Sequence, residues 1–354
     1  MSLLEATRAA ITSPEAAAAE AASARLDTLT KPLGSLGYLE EIIRRYAAIR
    51  RDPAAVAGRG VIAVFVGDHG VAEAGVSAYP KAVTAEMLRN IAAGGAAISV
   101  LTRRFGFELQ VTDVGVEADT SANPLPGVRY RRVGAGTRNF LEGPAMSAAQ
   151  ARQALETGIE TAYAAATSGA TLIGIGEMGI ANSTPAAALL AAFTGIEPVR
   201  IAGRGTGLDD AGLRRKVEVI ESGLRFHRAA LSDAMATLAA LGGFEIAAMA
   251  GVCLGGAAAH APVVVDGFIA TAAAATAEKI HPGVREHLFF SHRSAEGGHG
   301  LALDVLGARP LLDLDMRLGE GTGAALAMNV IQAALALYHE MATFESASVS
   351  GKTE

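Results

Sequence analysis

Short apolar runs alternate with longer segments of helical spacing along the central part of the chain. Six of these runs predict strands: 61–66, 109–114, 128–133, 170–173, 262–265 and 288–290. Runs that are apolar without alternation are typical of parallel strands covered by helices on both faces. The intervening segments are rich in Ala and Leu and predict helices. The pattern therefore predicts a doubly wound α/β fold with a mostly parallel six-stranded sheet, in which 128–133 is a candidate edge strand.

Both ends of the chain lack good strand signals. Residues 3–50 predict two or three helices that break at Lys31–Gly34, and residues 322–344 predict one long amphipathic helix. We expect the two ends, 1–50 and 311–346, to pack together as a small helical domain. That domain would lie beside a large α/β domain over residues 51–310. Residues 347–354 are predicted to be a disordered tail.

Composition narrows the class of protein. Hydrophobic residues make up 51% of the 354 and charged residues 19%, which favours a large folded core. The net charge is -6, and the charged residues form no long runs. Because a nucleic-acid surface would need a basic patch, no nucleic-acid partner is expected. The single cysteine, Cys253, is interpreted as a small core residue, although a nucleophile is the alternative. No segment resembles a signal peptide or a membrane span, so we expect a cytoplasmic protein without a membrane partner.

Glycine and polar residues follow each predicted strand. Asp68 and His69 come after the first strand, for example, and Ser291 comes after the sixth. Ligands of open parallel sheets bind outside the carboxyl ends of the strands. Because six strand ends carry such residues, their clustering indicates a binding site more strongly than any one motif does.

The segment Gly174–Gly179 matches the G-x-G-x-x-G pattern between a strand and a helix. Glycines let the backbone approach a phosphate, and the N-terminus of a helix favours an anion. A dinucleotide would need an acidic residue at the end of the next strand, and no clear one is present. A mononucleotide phosphate, with Glu177 turned toward another group, fits the segment better. The alternative is a tight turn that only packs a helix on a strand.

Two further glycine-rich segments carry charged residues. Gly203–Gly207 precedes a helix with Lys216, which could bind an anion or lie on a solvated helix face. Glu320 lies among glycines at the start of the long C-terminal helix. Its carboxylate could be favoured there by the helix dipole, or it could be an accessible general base. His292, Glu296 and His299 share one loop, but their spacing does not favour a metal site.

Taken together and in order, these segments resemble the nicotinate-nucleotide–dimethylbenzimidazole phosphoribosyltransferase family. The resemblance spans about residues 25 to 345. Its motifs are RLDTLTKPLGSLG (25–37), GDHG (67–70), GVSAYP (75–80), VT (83–84), GGA (94–96), GIGEMGI (174–180), GRGTG (203–207), SHRS (291–294) and DMRLGEGTGA (315–324). Many unrelated motifs in one order are far more specific than any single glycine pattern.

The resemblance implies a Rossmann-like fold, a homodimer and a nucleotide-binding large domain. It implies phosphoribosyl transfer from nicotinate mononucleotide to 5,6-dimethylbenzimidazole for the lower ligand of cobalamin, without a cofactor or metal. It makes Glu320 the catalytic base and Lys216 the residue that holds the anionic substrate. The remaining expected substrate-binding residues are Glu177, Gly174, Gly176, Gly179, Gly203, Gly205, Ser291, Asp68, His69 and, as walls of the base pocket, Tyr79, Glu86 and Met87.

The chain departs from the family pattern at two positions. Leu33 stands where the family commonly has a second proline, and Ala181 stands where it commonly has glycine. Three other functions remain open at this point. They are transfer to another acceptor such as adenine or a phenol, a non-catalytic sensor of a nucleotide or benzimidazole, and an NAD-dependent oxidoreductase that uses Gly174–Gly179.

Overall fold

The computed structural model describes residues 1–350, and its centre is one parallel sheet. The strands are β1 (Arg59–Gly67), β2 (Glu108–Gly115), β3 (Val128–Tyr130), β4 (Ala170–Met178), β5 (Val263–Val265), β6 (Leu288–Arg293) and β7 (Pro310–Asp313). They lie in the order β3-β2-β1-β4-β5-β6-β7. The order reverses between β1 and β4, which is where open α/β sheets form a ligand-binding crevice.

The sheet confirms the predicted α/β fold and corrects the strand count from six to seven. The strand that the sequence did not reveal, β7, pairs in parallel with β6 at the edge. Its first three residues are only half-buried and its fourth is exposed, so it lacks the apolar run that marks the inner strands. The short strand β3 occupies the opposite edge, which confirms the edge strand predicted at 128–133.

Fourteen α-helices are described within residues 1–350. They are α1 (Leu3–Ala10), α2 (Ala16–Thr28), α3 (Tyr38–Arg50), α4 (Ala82–Ala92), α5 (Ala97–Phe105), α6 (Ala148–Thr167), α7 (Ser183–Thr194), α8 (Pro198–Ile201), α9 (Asp210–Phe226), α10 (Ala234–Leu241), α11 (Phe244–Ala258), α12 (Phe268–Ile280), α13 (His299–Val305) and α14 (Thr322–Glu340). None of these helices has the length and apolar character needed to cross a membrane.

Helices cover both faces of the sheet, which explains the continuous apolar runs in the sequence. Along β1, Val61, Ala63 and Phe65 contribute to one hydrophobic cluster, mainly with α6, α7, α11 and α12. Ile62, Val64 and Val66 contribute to a second cluster, mainly with α2 to α5 and α14. Burial of each large apolar side chain stabilises the fold by about 1.5–3 kcal/mol. The sheet is therefore doubly wound, as the sequence predicts.

The two chain ends meet on one face of the sheet. Arg25 on α2 donates hydrogen bonds to the carbonyls of Tyr338 and His339, near the end of α14. The first helix, α1, packs instead against α6 and α11 on the other face. The division into two domains stays a prediction. The predicted tail comprises residues 347–354, of which 351–354 lie outside the described part of the chain. Within its described part, the backbone N–H of Val349 donates a hydrogen bond to the carbonyl of Phe344.

Candidate functional site

A cavity of about 430 Å³ opens at the carboxyl ends of β4, β5 and β6. Tyr79 and Met87 form part of one wall. The charged and titratable residues that line the cavity are Glu177, Asp266, His292, Glu296, Arg317 and Glu320. The cavity therefore combines apolar walls with several acidic side chains, which suits a ligand that carries or develops positive charge.

Glu320 lies in an unusual backbone segment just before α14. Gly319, Glu320 and Gly321 all have left-handed φ values, of 86°, 63° and 87°. One Glu320 carboxylate oxygen accepts a hydrogen bond of 3.4 Å from the N–H of Ile98, in the first turn of α5. Burial raises the pKa of Glu320, the Ile98 N–H opposes that rise, and the Asp266 carboxylate adds to it. A buried carboxylate of raised pKa that faces a cavity can accept a proton from a ligand.

Glu177 lines the same cavity from the regular strand β4, one residue before the end of that strand, and its carboxyl lies against Gly319 of the Glu320 loop. Burial raises the pKa of Glu177 to about 8, with the Glu245 carboxylate as the next largest cause, while a hydrogen bond from Asn182 lowers it. At neutral pH this group is therefore mostly protonated, and its neutral carboxyl can donate a hydrogen bond.

The structure corrects the predicted glycine loop at Gly174–Gly179. Gly174 and Gly176 are inside β4 rather than after it, and Gly174 pairs with Ile62 on β1 and Val264 on β5. Their backbone groups are part of the sheet, so they do not form a phosphate loop. A Cβ at Gly176 would lie 2.4 Å from the backbone N of Gly321, so the glycine allows close approach of the loop that carries Glu320. Only Gly179 of the three lines the cavity.

Lys216 on α9 is fully buried next to the cavity rather than exposed on a helix face. Its ammonium donates to the Ser183 hydroxyl, at 2.8 Å, and to the Gly203 carbonyl, at 2.9 Å. Burial lowers the pKa of Lys216 to about 8, and Glu296, 3.8 Å from the ammonium, opposes that shift. The backbone N–H of Gly205 donates to the same carboxylate. Because Ser183 begins α7, Lys216 and a helix N-terminus converge on one end of the cavity.

Besides Gly174, Gly176, Gly203 and Lys216, four more expected site residues lie outside the cavity lining. Glu86 is exposed on α4, away from the wall formed by Met87. His69 is buried and pairs with Glu245 at 2.7 Å, and the Asp68 carboxylate accepts from the Glu117 N–H. Ser291 donates to the Asp266 carbonyl at 2.8 Å. His69, Asp68 and Ser291 therefore support the walls rather than face the cavity.

The histidines expected in one loop lie in two elements, His292 in β6 and His299 at the start of α13, and protein groups hold both. His299 is buried, bonded to the Thr271 hydroxyl and the Ser294 N–H, and burial lowers its pKa to about 3. His292 contacts the Ser291 hydroxyl at 2.9 Å. Within residues 1–350, no group of three or more His, Cys, Asp or Glu side chains is arranged to hold a metal ion.

The sequence did not predict several residues of the cavity lining, among them the polar Asn182, Ser183 and Arg317. Asn182 and Ser183 follow the glycine motif at the start of α7, and Arg317 lies three residues before Glu320. Arg317 donates a hydrogen bond of 3.3 Å to the Gly205 carbonyl. Asn182 and Ser183 could have been predicted, because they lie at the start of the helix that follows Gly179. The contact of Arg317 with Gly205 could not, because the two residues are 112 positions apart in the sequence.

Comparisons with known proteins agree with this geometry. A family model described as phosphoribosyltransferase matches residues 11–349. The nicotinate-nucleotide–dimethylbenzimidazole phosphoribosyltransferase of Geotalea uraniireducens is 49% identical over 350 residues, covering 99% of both chains. That of Chlorobaculum tepidum is 51% identical over 331 residues, 94% of this chain and 93% of that one. The chain belongs to the nicotinate-nucleotide–dimethylbenzimidazole phosphoribosyltransferase family.

A solved structure shares the fold of this family member. The crystal structure of CobT from Thermus thermophilus superposes with a TM-score of 0.89 at 45% sequence identity, over 95% of this chain and 100% of that chain. The resemblance inferred from the motifs is thereby confirmed. Ala181, where the family commonly has glycine, has a left-handed φ of 74°, a conformation that glycine adopts without strain. Leu33, where the family commonly has proline, is 73% exposed.

Proposed function

We propose that this protein transfers the phosphoribosyl group of nicotinate mononucleotide to 5,6-dimethylbenzimidazole. The products are nicotinate and α-ribazole 5′-phosphate, the nucleotide of the cobalamin lower ligand. The observation that carries the proposal is Glu320, a buried carboxylate that faces the cavity from an irregular, glycine-flanked loop. Family membership supports the substrates, because the relatives carry the name of this reaction.

The chemistry needs one base and little else. Nicotinate mononucleotide carries a cationic pyridinium on C1′, and departure of nicotinate neutralises that ring nitrogen. One benzimidazole nitrogen attacks C1′ from the opposite face, so the C1′–N bond to nicotinate breaks while the new C1′–N bond forms with inversion. The second benzimidazole nitrogen loses its proton to Glu320, whose raised pKa suits this role. The acidic lining favours positive charge on the sugar in the transition state.

The phosphate is assigned to the end of the cavity next to Lys216. There the buried ammonium, the Ser183 hydroxyl at the start of α7 and the exposed Arg317 supply positive charge and hydrogen-bond donors. Glu177, neutral at pH 7 by its raised pKa, can donate a hydrogen bond to a substrate without adding a second negative charge beside Glu320. We further propose a cytoplasmic homodimer, supported by the family resemblance and by two exposed leucines, Leu318 at the cavity and Leu314.

The test is to incubate purified protein with nicotinate mononucleotide and dimethylbenzimidazole, and to follow free nicotinate and the nucleotide product by chromatography and mass spectrometry. We expect stoichiometric nicotinate and α-ribazole 5′-phosphate. Nicotinate release only with adenine or a phenol would keep the transfer chemistry and replace the acceptor. Binding of the substrates without turnover of any acceptor would overturn the proposal and favour a sensor.

A further inference from the structure

Asp266 joins the end of β5 to the loop that carries Glu320. Its side chain is 2% exposed. One carboxylate oxygen accepts a hydrogen bond of 3.1 Å from the Gly321 N–H, and the other accepts one of 2.9 Å from the Ala324 N–H. We infer that Asp266 is a positioning residue, which holds Glu320 at the cavity by anchoring the loop and the first turn of α14. The inference rests on the proposed role of Glu320 as the base.

The loop needs such an anchor because its backbone is strained. Glu320 adopts a left-handed φ of 63°, which costs energy for a residue with a side chain and persists only where contacts enforce it. Gly176 supports the loop from β4, where its missing Cβ leaves room for the backbone of residues 320 and 321. The Glu320 side chain itself has one hydrogen bond, from Ile98 at 3.4 Å. The two bonds to Asp266 tie the loop to the end of β5, while the Thr322 hydroxyl closes the loop on itself by donating to the Gly319 carbonyl at 2.8 Å.

Asp266 is in turn fixed by β6. The Ser291 hydroxyl donates to the Asp266 carbonyl at 2.8 Å and also contacts the His292 ring nitrogen. Gly323 lies close to both His292 and Asp266, where a Cβ would be 2.1 Å from the ring and 2.8 Å from the carboxylate. Backbone N–H groups of the loop and of α14 bind both carboxylate oxygens of Asp266, so the side chain, which also lines the cavity, holds the loop in place.

The test is a double-mutant cycle with Asp266→Asn and Glu320→Gln in the full chain. The asparagine keeps one accepting oxygen and turns an N–H₂ group toward the second backbone N–H, so the loop loses half of its anchor. We expect kcat to fall about tenfold to a hundredfold, because a small misplacement of a catalytic group is costly. KM for nicotinate mononucleotide should change less than about threefold, since the phosphate site is separate. In the Glu320→Gln background, Asp266→Asn should lower kcat less than about threefold further.

Controls separate positioning from general loss of structure. Asp233 caps α10 away from the cavity by accepting from the Ala236 N–H at 2.7 Å. Asp233→Ala should lower thermal stability without changing kcat, because it removes the cap. Asp266→Ser, which keeps an accepting oxygen in a smaller side chain, is taken through the same cycle so that the result does not depend on one variant folding.

Three results would overturn the inference. An equal loss of kcat from Asp266→Asn in both backgrounds would mean that Asp266 acts independently of Glu320. A raised KM at unchanged kcat would make it a binding residue. Near-normal kcat of Glu320→Gln alone would instead remove Glu320 from its proposed role, and the inference with it. The first two results leave the proposed function intact, so the two failures can be told apart.

Discussion

Two glutamates face the same cavity from very different parts of the fold. Glu177 belongs to the regular inner strand β4 and is held by Asn182. Glu320 belongs to a loop of three left-handed residues, where the Ile98 N–H and the Asp266 carboxylate are its neighbours. One side chain is carried by an inner strand of the sheet, and the other by an irregular loop beside the cavity.

The difference shows how the environment assigns roles to identical side chains. Glu177 is near several acidic groups, Glu245 first among them, and its pKa of about 8 keeps it protonated at neutral pH. Glu320 has a backbone N–H donor at the start of a helix, which favours its charged form against the effect of burial. Pairs of carboxyl groups whose pKa values are pushed apart commonly divide acid and base roles between them. We therefore assign the base to Glu320 and the neutral donor to Glu177.

The largest expected effect comes from neutralising each glutamate in turn. Glu320→Gln should lower kcat by about a hundredfold or more, because the amide cannot accept the benzimidazole proton. Glu177→Gln is the matched control, since glutamine resembles a protonated carboxyl, and it should lower kcat by less than about tenfold. Steady-state release of nicotinate measures both. Equal losses in the two variants would remove the contrast between them.

The phosphate end of the cavity gives the next largest effect. Lys216→Met keeps the buried volume but removes the ammonium, so binding of nicotinate mononucleotide should weaken by about tenfold to a hundredfold, the cost of a charge-assisted hydrogen bond. Isothermal titration calorimetry measures the affinity, and the exposed Lys279→Met serves as the control. Unchanged affinity in Lys216→Met would place the phosphate elsewhere, and the two glutamates would then need a different substrate orientation.

The raised pKa of Glu177 also predicts how stability depends on pH. Its pKa is about 8 in the folded protein and 4.5 ordinarily. Between these values the folded state keeps a proton that the unfolded state has released, so the free energy of unfolding falls as pH rises through this window. Glu177→Gln removes this contribution. Denaturant unfolding at several pH values should show a steeper fall in the wild type than in the variant; identical slopes would contradict the assignment.

Ala181 gives the smallest expected effect. It has a left-handed φ of 74° next to the end of β4. Ala181→Gly relieves this strain but adds freedom to the unfolded chain, so the net gain in stability should be at most about 1 kcal/mol. Thermal unfolding measures it. A clear loss of stability would mean that the alanine methyl group contributes packing that outweighs the strain.

The sequence predicted the parts of the fold that depend on local patterns. Buried parallel strands require apolar residues on both faces, so β1 and β6 stood out, whereas β7 is half-buried and left no such signal. The long α14 was predicted because its apolar spacing is helical over most of its length. The helix ends at Glu340 and not at residue 344, because the backbone of Met341 is extended. The spacing of apolar residues does not predict this end.

The site was predictable mainly where its residues stand in motifs. Glu320 and Glu177 are part of recognisable strings, and both line the cavity. Gly174 and Gly176 were interpreted as a phosphate loop because local pattern cannot distinguish a glycine that approaches a ligand from one that approaches another backbone segment. The contact of Asp266 with Gly321 joins residues 55 positions apart, so only the folded topology reveals it.

The most direct test of the assigned roles is to titrate the two carboxyl groups by ¹³C NMR in protein labelled at the glutamate carboxyl carbons. The signals are assigned from their absence in Glu177→Gln and Glu320→Gln. We predict that Glu177 loses its proton near pH 8 and that Glu320 loses its proton at a lower pH. The reverse order, with Glu177 ionised while Glu320 remains protonated, would contradict the assignment of Glu320 as the base.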